Sequence, residues 1–147
     1  MSVDINSNNS KLLAENVLKR IQEYRDPKFN VSPYLDATLE VTDNGNYIIQ
    51  SKNCFKLYLP SNFDEIKDIN YYFQGTGGGT GTTTVDGAID ETMKSYNSDK
   101  ILLEVEASKE NVATDIMGMV NPNGFTHYNG SGWSAGAPTS LNYMTNL

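Results

Sequence analysis

A serine flanked by small residues near the end of the printed sequence is the residue best placed to do chemistry. Residues 132–136 read Gly-Trp-Ser-Ala-Gly, a G-x-S-x-G pentapeptide with Ser134 at its centre. This spacing is typical of a strand that turns sharply into a helix, because small flanking residues let the two elements approach each other and leave the hydroxyl exposed. Such a hydroxyl attacks a carbonyl carbon once a base removes its proton. Ser134 is therefore the candidate nucleophile.

A glycine-rich segment is the second feature with chemical potential. Residues 74–81 read Gln-Gly-Thr-Gly-Gly-Gly-Thr-Gly. A phosphate-binding P-loop needs Lys followed by Ser or Thr, and residues 71–93 contain no Lys. The dinucleotide fingerprint G-x-G-x-x-G fails because Thr80, Thr82 or Thr84 stands where the last glycine is required. An oxyanion hole needs only accessible backbone N–H groups, so this function is favoured and nucleotide binding is kept as an alternative.

Hydrophobic spacing predicts the elements that come first in the chain. An amphipathic helix is expected over residues 10–25, with Ser10 as its cap and an end before Pro27. Strands are expected at 37–41 and 47–50, joined by a tight turn at the Asn-Gly pair 44–45. A third strand at 55–59 alternates Phe, Leu and Leu with Lys56 and Tyr58, so one face should be buried and the other wet.

Strands and helices alternate in the rest of the chain. Strands are expected at 69–73, 101–105 and 125–131, and a helix at 135–145. Two more helical stripes are expected, the second capped by Ser108: Val85, Ile89, Met93 and Tyr96; Val112, Ile116 and Met119. Strands alternating with helices imply crossover connections. The sequence predicts one α/β domain, residues 1–147, with a mostly parallel sheet, an N-terminal antiparallel hairpin and flanking helices.

The order of these features over about residues 35–147 resembles the N-terminal half of an α/β-hydrolase of the esterase and lipase type. The likeness rests on Phe-Lys-Leu-Tyr-Leu-Pro at 55–60, similar to a strand end of many esterases, on the glycine loop, and on the pentapeptide. It implies a partial α/β-hydrolase fold in which Ser134 is the nucleophile. The N–H of Ala135 and that of Thr76 or Gly77 would form the oxyanion hole. Gln74 stands where the family often has His. No cofactor or metal is implied.

The general base is the missing part of this constellation. His127 is the sole histidine, seven residues before Ser134. On an extended strand that separation is roughly 20 Å, beyond hydrogen-bond reach, so His127 is expected to be a satisfied core or sheet-side residue. The family places its acid after the nucleophile. Four aspartates that precede it are expected to be helix caps or to lie on solvated faces: Asp86, Asp90, Asp99 and Asp115.

A second polypeptide is therefore expected to complete the site. Residues 125–131 should present an open edge that pairs with a C-terminal portion of the protein or a second subunit, which would supply His and Asp or Glu. The aromatic residues near the predicted strands are expected to be core more often than pocket lining: Tyr71, Tyr72, Tyr128 and Trp133.

Composition narrows the range of partners. A formal net charge of -7 argues against nucleic acid, because that binding depends on clustered Lys and Arg. The first ten residues are polar, and no stretch approaches the ~20 apolar residues that span a bilayer, so a soluble cytoplasmic protein is expected. Cys54 is the single cysteine, which excludes an intrachain disulfide and predicts an apolar packing role.

Two functions follow from the sequence. The first is a serine hydrolase that transfers the acyl group of an ester or related substrate through Ser134. The alternative is a non-catalytic hydrolase-like module that binds a partner and keeps the pentapeptide as a structural turn.

Overall fold

The fold is an α/β arrangement of one sheet with helices packed against it. The computed structural model of the chain describes residues 2–51, 54–74, 100–106, 109–121, 124–132 and 136–145. The elements in these ranges are α1 Ser2–Glu23, β1 Thr38–Val41, β2 Tyr47–Ser51, β3 Phe55–Leu59, a 3-10 helix Phe63–Glu65, β4 Asp68–Gln74, β5 Ile101–Glu106, α2 Glu110–Val120, β6 His127–Gly132 and α3 Gly136–Thr145. Among the described helices, none is long and apolar enough to cross a membrane.

The six described strands form one mixed sheet in the order β1-β2-β3-β5-β4-β6. The pairs β1–β2, β2–β3 and β3–β5 are antiparallel, whereas β5–β4 and β4–β6 are parallel. The predicted hairpin is confirmed, with Gly45 at φ 83° and the N–H of Thr42 donating to the carbonyl of Asn46 over 2.9 Å. The expectation of a mostly parallel sheet is wrong, because β3 inserts antiparallel between β2 and β5.

Strand β3 shows why local alternation misled the burial prediction. All five of its residues are buried, including Lys56 at 6% and Tyr58 at 4% exposure. An interior strand of a sheet that is covered on both faces has no wet side, so a polar residue in its sequence does not mark a solvated position.

Helix α1 begins earlier than the predicted 10–25 and ends at Glu23. Ser10 lies inside the helix and does not cap it. Its hydroxyl instead donates to the carbonyl of Ser61 and accepts a 2.9 Å hydrogen bond from the Tyr47 hydroxyl. A serine in a helix interior often bonds away from the helix backbone in this way, so its presence did not mark a helix start.

One face of the sheet, here called the helix face, packs under all three described α-helices. Its core joins Val17 of α1, Ile116 of α2 and Tyr143 of α3 to strand residues that alternate in register, such as Leu57 and Tyr71. Cys54 is partly buried against this core, as expected. The opposite face holds a smaller cluster of four buried residues: Ile48, Tyr58, Tyr72 and Leu102.

Some predicted helix features lie outside the described residues. These are the whole stripe at 85–96, Asp86, Asp90 and Asp99, and the proposed cap Ser108. The stripe at 112–119 forms α2, in which Val112 and Ile116 are buried, with Lys109 at the cap position making no side-chain cap bond.

Asp115 on α2 links three segments and is neither a helix cap nor a solvated residue. Its carboxylate accepts hydrogen bonds from the hydroxyls of Tyr24, at 3.1 Å, and Tyr34, at 3.0 Å. The two tyrosine rings stack 5.9 Å apart, and the Tyr34 ring meets Phe55 edge-on at 5.7 Å. The residue therefore ties the end of α1 and the loop before β1 to α2.

Burial and then the neighbouring Asp115 charge raise the pKa of Tyr34 above its ordinary value of 10.0. Burial, followed by the charge and hydrogen bond of Tyr143, raises the pKa of Tyr71 in the same direction. An unfolded chain releases these protons at lower pH than the folded one. The folded state thus binds more protons above that value, and its stability falls as the pH rises.

We expect the free energy of unfolding to fall between about pH 9 and about pH 11, by up to about 1.4 kcal/mol per pH unit for each such tyrosine. Tyr34→Phe should lower stability at neutral pH, because it removes the bond to Asp115, and should make the fall at high pH shallower by one proton. Denaturant unfolding at several pH values measures both effects. An unchanged slope in Tyr34→Phe would contradict the assignment.

Candidate functional site

The carboxyl ends of β4 and β6 bring the two predicted motifs to one edge of the sheet. The strands are parallel neighbours in a register that pairs Asp68 with His127 and Phe73 with Gly132. Neighbouring strands lie about 4.8 Å apart. The glycine-rich segment that follows Gln74 and the segment that follows Gly132 therefore start side by side.

The residues predicted to do the chemistry lie outside the described part of the chain. These are Ser134, Ala135, Thr76 and Gly77. Their flanking elements are described: β6 ends at Gly132 and α3 begins at Gly136, so three residues connect strand to helix. Pro138 falls in the first turn of α3, where proline is tolerated.

The strand order reverses at this edge. Strand β4 is flanked by β5, which follows it in the chain, on one side and by β6 on the other. In open α/β sheets, ligands bind outside the carboxyl ends of the strands where the order reverses in this way. The topology thus favours the β4–β6 crevice as a binding site, independently of the sequence motifs.

A close contact at Gly130 sets how α3 returns along β6. A Cβ built on Gly130 would lie 2.6 Å from Met144 Cγ and 2.8 Å from Ser140 Oγ, two α3 residues one turn apart. Real Cβ atoms essentially never approach other atoms so closely. A glycine is therefore required here, because α3 presses directly on the strand.

Aromatic packing fixes the other side of α3. The Tyr143 ring lies 5.1 Å from that of Tyr71 and 5.4 Å from that of Phe73, both on β4. The Tyr71 hydroxyl also donates to Met117 Sδ of α2 over 2.7 Å. The helix thus covers β4 and β6 together on the helix face, just below the edge where the two motifs begin.

A buried polar row on the opposite face escaped the sequence analysis. Lys56 of β3, Glu104 of β5 and Tyr72 of β4 occupy successive register positions, one residue before the Phe73–Val105 row. Their exposures are 6%, 0% and 7%. Opposite charges on adjacent strands stabilise a sheet pair. The one signal in the sequence was Glu104 within the apolar run 101–105.

His127 lies at the amino end of β6, away from the edge that carries the motifs. Its Nδ1 is 3.0 Å from the Asp68 carboxylate, and both side chains are exposed, at 74% and 58%. Five residues of strand, about 17 Å, separate it from Gly132. The residue is sheet-side and not core, and its position agrees with excluding it as the base.

The aromatic residues divide as expected where they are described. Tyr71 and Tyr72 are buried at 1% and 7% exposure, and Tyr128 packs partly against the main core, while Trp133 lies outside the described residues. Within the described ranges, no group of three or more His, Cys, Asp or Glu side chains is arranged to hold a metal ion.

Gly130→Ala should destabilise the fold by about 1–3 kcal/mol, because the added methyl group would collide with Met144 and Ser140. Gly118→Ala is the matched control. A Cβ at this exposed α2 position would meet nothing within 4 Å, so the change should raise stability by up to about 1 kcal/mol through helix propensity. Denaturant unfolding measures both, and equal effects of the two changes would contradict the close packing of α3 on β6.

Comparisons with family profiles, with curated proteins and with solved structures find no match to this chain. The likeness to α/β-hydrolases therefore depends on the residues of the sequence itself.

Proposed function

We propose that this chain is part of a serine hydrolase of the esterase or lipase kind, with Ser134 as the acyl-accepting nucleophile. One observation carries the proposal: β4 and β6 are parallel neighbours with Phe73 opposite Gly132. This register starts the glycine-rich segment and the pentapeptide from adjacent strand ends, as an oxyanion hole facing a nucleophile requires.

The proposed reaction is acyl transfer. The Ser134 hydroxyl oxygen attacks the carbonyl carbon of an ester while a base takes its proton, and the carbonyl oxygen becomes an oxyanion. The N–H of Ala135 and that of Thr76 or Gly77 donate hydrogen bonds to this oxyanion. The intermediate expels the alcohol, which takes the proton, and leaves the acyl group on Ser134. Water attacks this acyl-enzyme with the help of the same base, releasing the acid and restoring the serine.

Helix α3 supports the charge that develops in this reaction. It begins at Gly136 and runs for 10 residues, so the unpaired N–H groups of its first turn lie next to segment 133–135. The positive end of a helix dipole favours negative charge nearby. Its tight packing at Gly130 gives the turn a rigid support on the side of the strand.

The base and the acid belong, in this proposal, to a C-terminal portion or second chain that pairs with β6. Strand β6 ends the described sheet, with the other five described strands all on one side of it. In α/β-hydrolases the nucleophile strand is central, with earlier strands on one side, so this order agrees with a partial hydrolase fold. The His127 N–H points toward β4, to the Lys67 carbonyl at 3.3 Å. By alternation, the N–H groups of Tyr128 and Gly130 point away from β4.

A fluorophosphonate probe, which reacts with activated serine hydroxyls, tests the nucleophile. With the chain isolated together with its co-purifying polypeptides, we expect mass spectrometry to find the label on the peptide that contains Ser134. Ser134→Ala should abolish labelling, whereas Ser131→Ala, the nearest other serine, should retain it. No labelling of an assembly shown to include strands beside β6 would overturn the hydrolase proposal and favour the non-catalytic binding module.

The pairing edge has its own test. Size-exclusion chromatography with light scattering should give a mass above the 16.3 kDa of one chain. Tyr128→Pro removes an outward N–H and should weaken association, while Tyr128→Phe keeps that group and should not. Unfolding midpoints of both variants separate lost pairing from lost folding. A stable wild-type monomer, with no second fragment in mass spectrometry, contradicts the proposed pairing.

A further inference from the structure

A cleft of about 400 Å³ opens beside the β1–β2 hairpin, and the function proposed above does not use it. Its volume is within the range of small-molecule sites. Its walls come from the end of β1, the hairpin turn, the start of β2 and the end of β3: Glu40, Val41, Thr42, Asp43, Asn44, Asn46, Tyr47, Ile48, Tyr58 and Leu59.

The cleft lies at the other edge of the sheet from the proposed nucleophile. Tyr47, which lines it, begins β2, and β2 runs in the same direction as β4, β5 and β6 because two antiparallel pairings separate it from β5. The cleft is thus at the amino edge, whereas the Ser134 segment follows the carboxyl edge. A ligand bound here is independent of the proposed hydrolase chemistry.

The charges in the cleft favour a cation. Glu40 and Asp43 both line it, and its lining contains no Lys, Arg or His. The whole chain carries a formal net charge of -7, which adds to this preference. The nearest described cation to Tyr58 is Lys56, whose Nζ lies 5.4 Å from the Tyr58 ring and whose register partner is Glu104.

The floor of the cleft combines an apolar surface with one polar atom that lacks a partner. Ile48 and Tyr58 are 2% and 4% exposed, so together they offer an apolar wall. The Tyr58 hydroxyl oxygen is buried and makes no hydrogen bond to the protein. A buried hydroxyl without a partner costs free energy, which a donor on a ligand can recover. Aromatic faces also attract ammonium and guanidinium groups.

The turn that carries the acidic residues is ordered by its own hydrogen bonds. The Thr42 hydroxyl accepts from the N–H of Asn46 at 3.0 Å, and Asn46 Oδ1 accepts from the N–H of Ser61 at 3.1 Å. The second bond fixes the hairpin to the segment after β3. A ligand would therefore meet a largely formed site and lose little affinity to ordering it.

We propose that this cleft binds a small organic cation, a protonated amine or guanidinium carried on a short apolar stem. The charged group lies between the Glu40 and Asp43 carboxylates, and the stem packs on Ile48 and the Tyr58 ring. Free amines and the side chains of lysine residues share this chemistry.

Titration of the full chain with butylammonium, followed by amide NMR shifts, tests the site. We expect saturable shifts that centre on residues 40–48 and 58–59, and weaker binding of butanol and of butyrate. Glu40→Gln and Asp43→Asn should each weaken binding about two- to fivefold. Tyr58→Phe should weaken it about two- to tenfold. Tighter binding of Nα-acetyl-lysine methylamide than of butylammonium would identify a peptide side chain as the source of the cation.

Glu23→Gln is the control, because it removes the same charge from an exposed position at the end of α1, away from the cleft lining, and should leave binding unchanged. Thermal unfolding of each variant shows that the hairpin is intact. Butanol binding as tightly as butylammonium, or a Glu40→Gln/Asp43→Asn double variant with unchanged affinity, would overturn the proposal. Shifts confined to other parts of the chain would do the same.

Discussion

The parallel pairing of β4 with β6, held under α3, is the constraint on which the rest of this molecule depends. It sets the reversal of strand order, and the edge where the strands end receives both sequence motifs. The pairing places Gly130 opposite Tyr71, so the missing side chain on β6 and the large ring on β4 together shape the seat of α3. Helix, strand pair and crevice are thus one mechanical unit, and a change at Gly130 is felt at the crevice.

The sheet separates its two ends by chemistry. The carboxyl edge of the parallel strands carries the glycine-rich segment and the pentapeptide, where backbone donors and a helix start suit developing negative charge. The amino edge carries the exposed Asp68–His127 pair and the acidic cleft beside the hairpin. Two functions at opposite ends of one sheet act without steric conflict, since the sheet lies between them.

Local signals in the sequence were sufficient where local physics decides the structure. The Asn44-Gly45 turn and the stripe of Val112 and Ile116 give the hairpin and α2, because turn conformation and helical spacing depend on neighbouring residues. The insertion of β3 between β2 and β5 depends on contacts across the chain, and no spacing within residues 55–59 encodes it. The burial of Lys56 and Glu104 follows from that insertion. At the candidate site, the pentapeptide was legible in the sequence, but the approach of α3 to Gly130 was not, since it depends on how the helix folds back.

The position of β3 also has a consequence for synthesis on the ribosome. Its partner β2 immediately precedes it, but its other neighbour, β5, begins only at Ile101, so residues 60–100 must be translated first. At about 5–20 residues per second this leaves β3 with an open, apolar edge for about 2–8 seconds. An exposed strand edge of this kind templates pairing with other chains. Nascent polypeptide of this length is thus a ready client for a chaperone until β5 emerges.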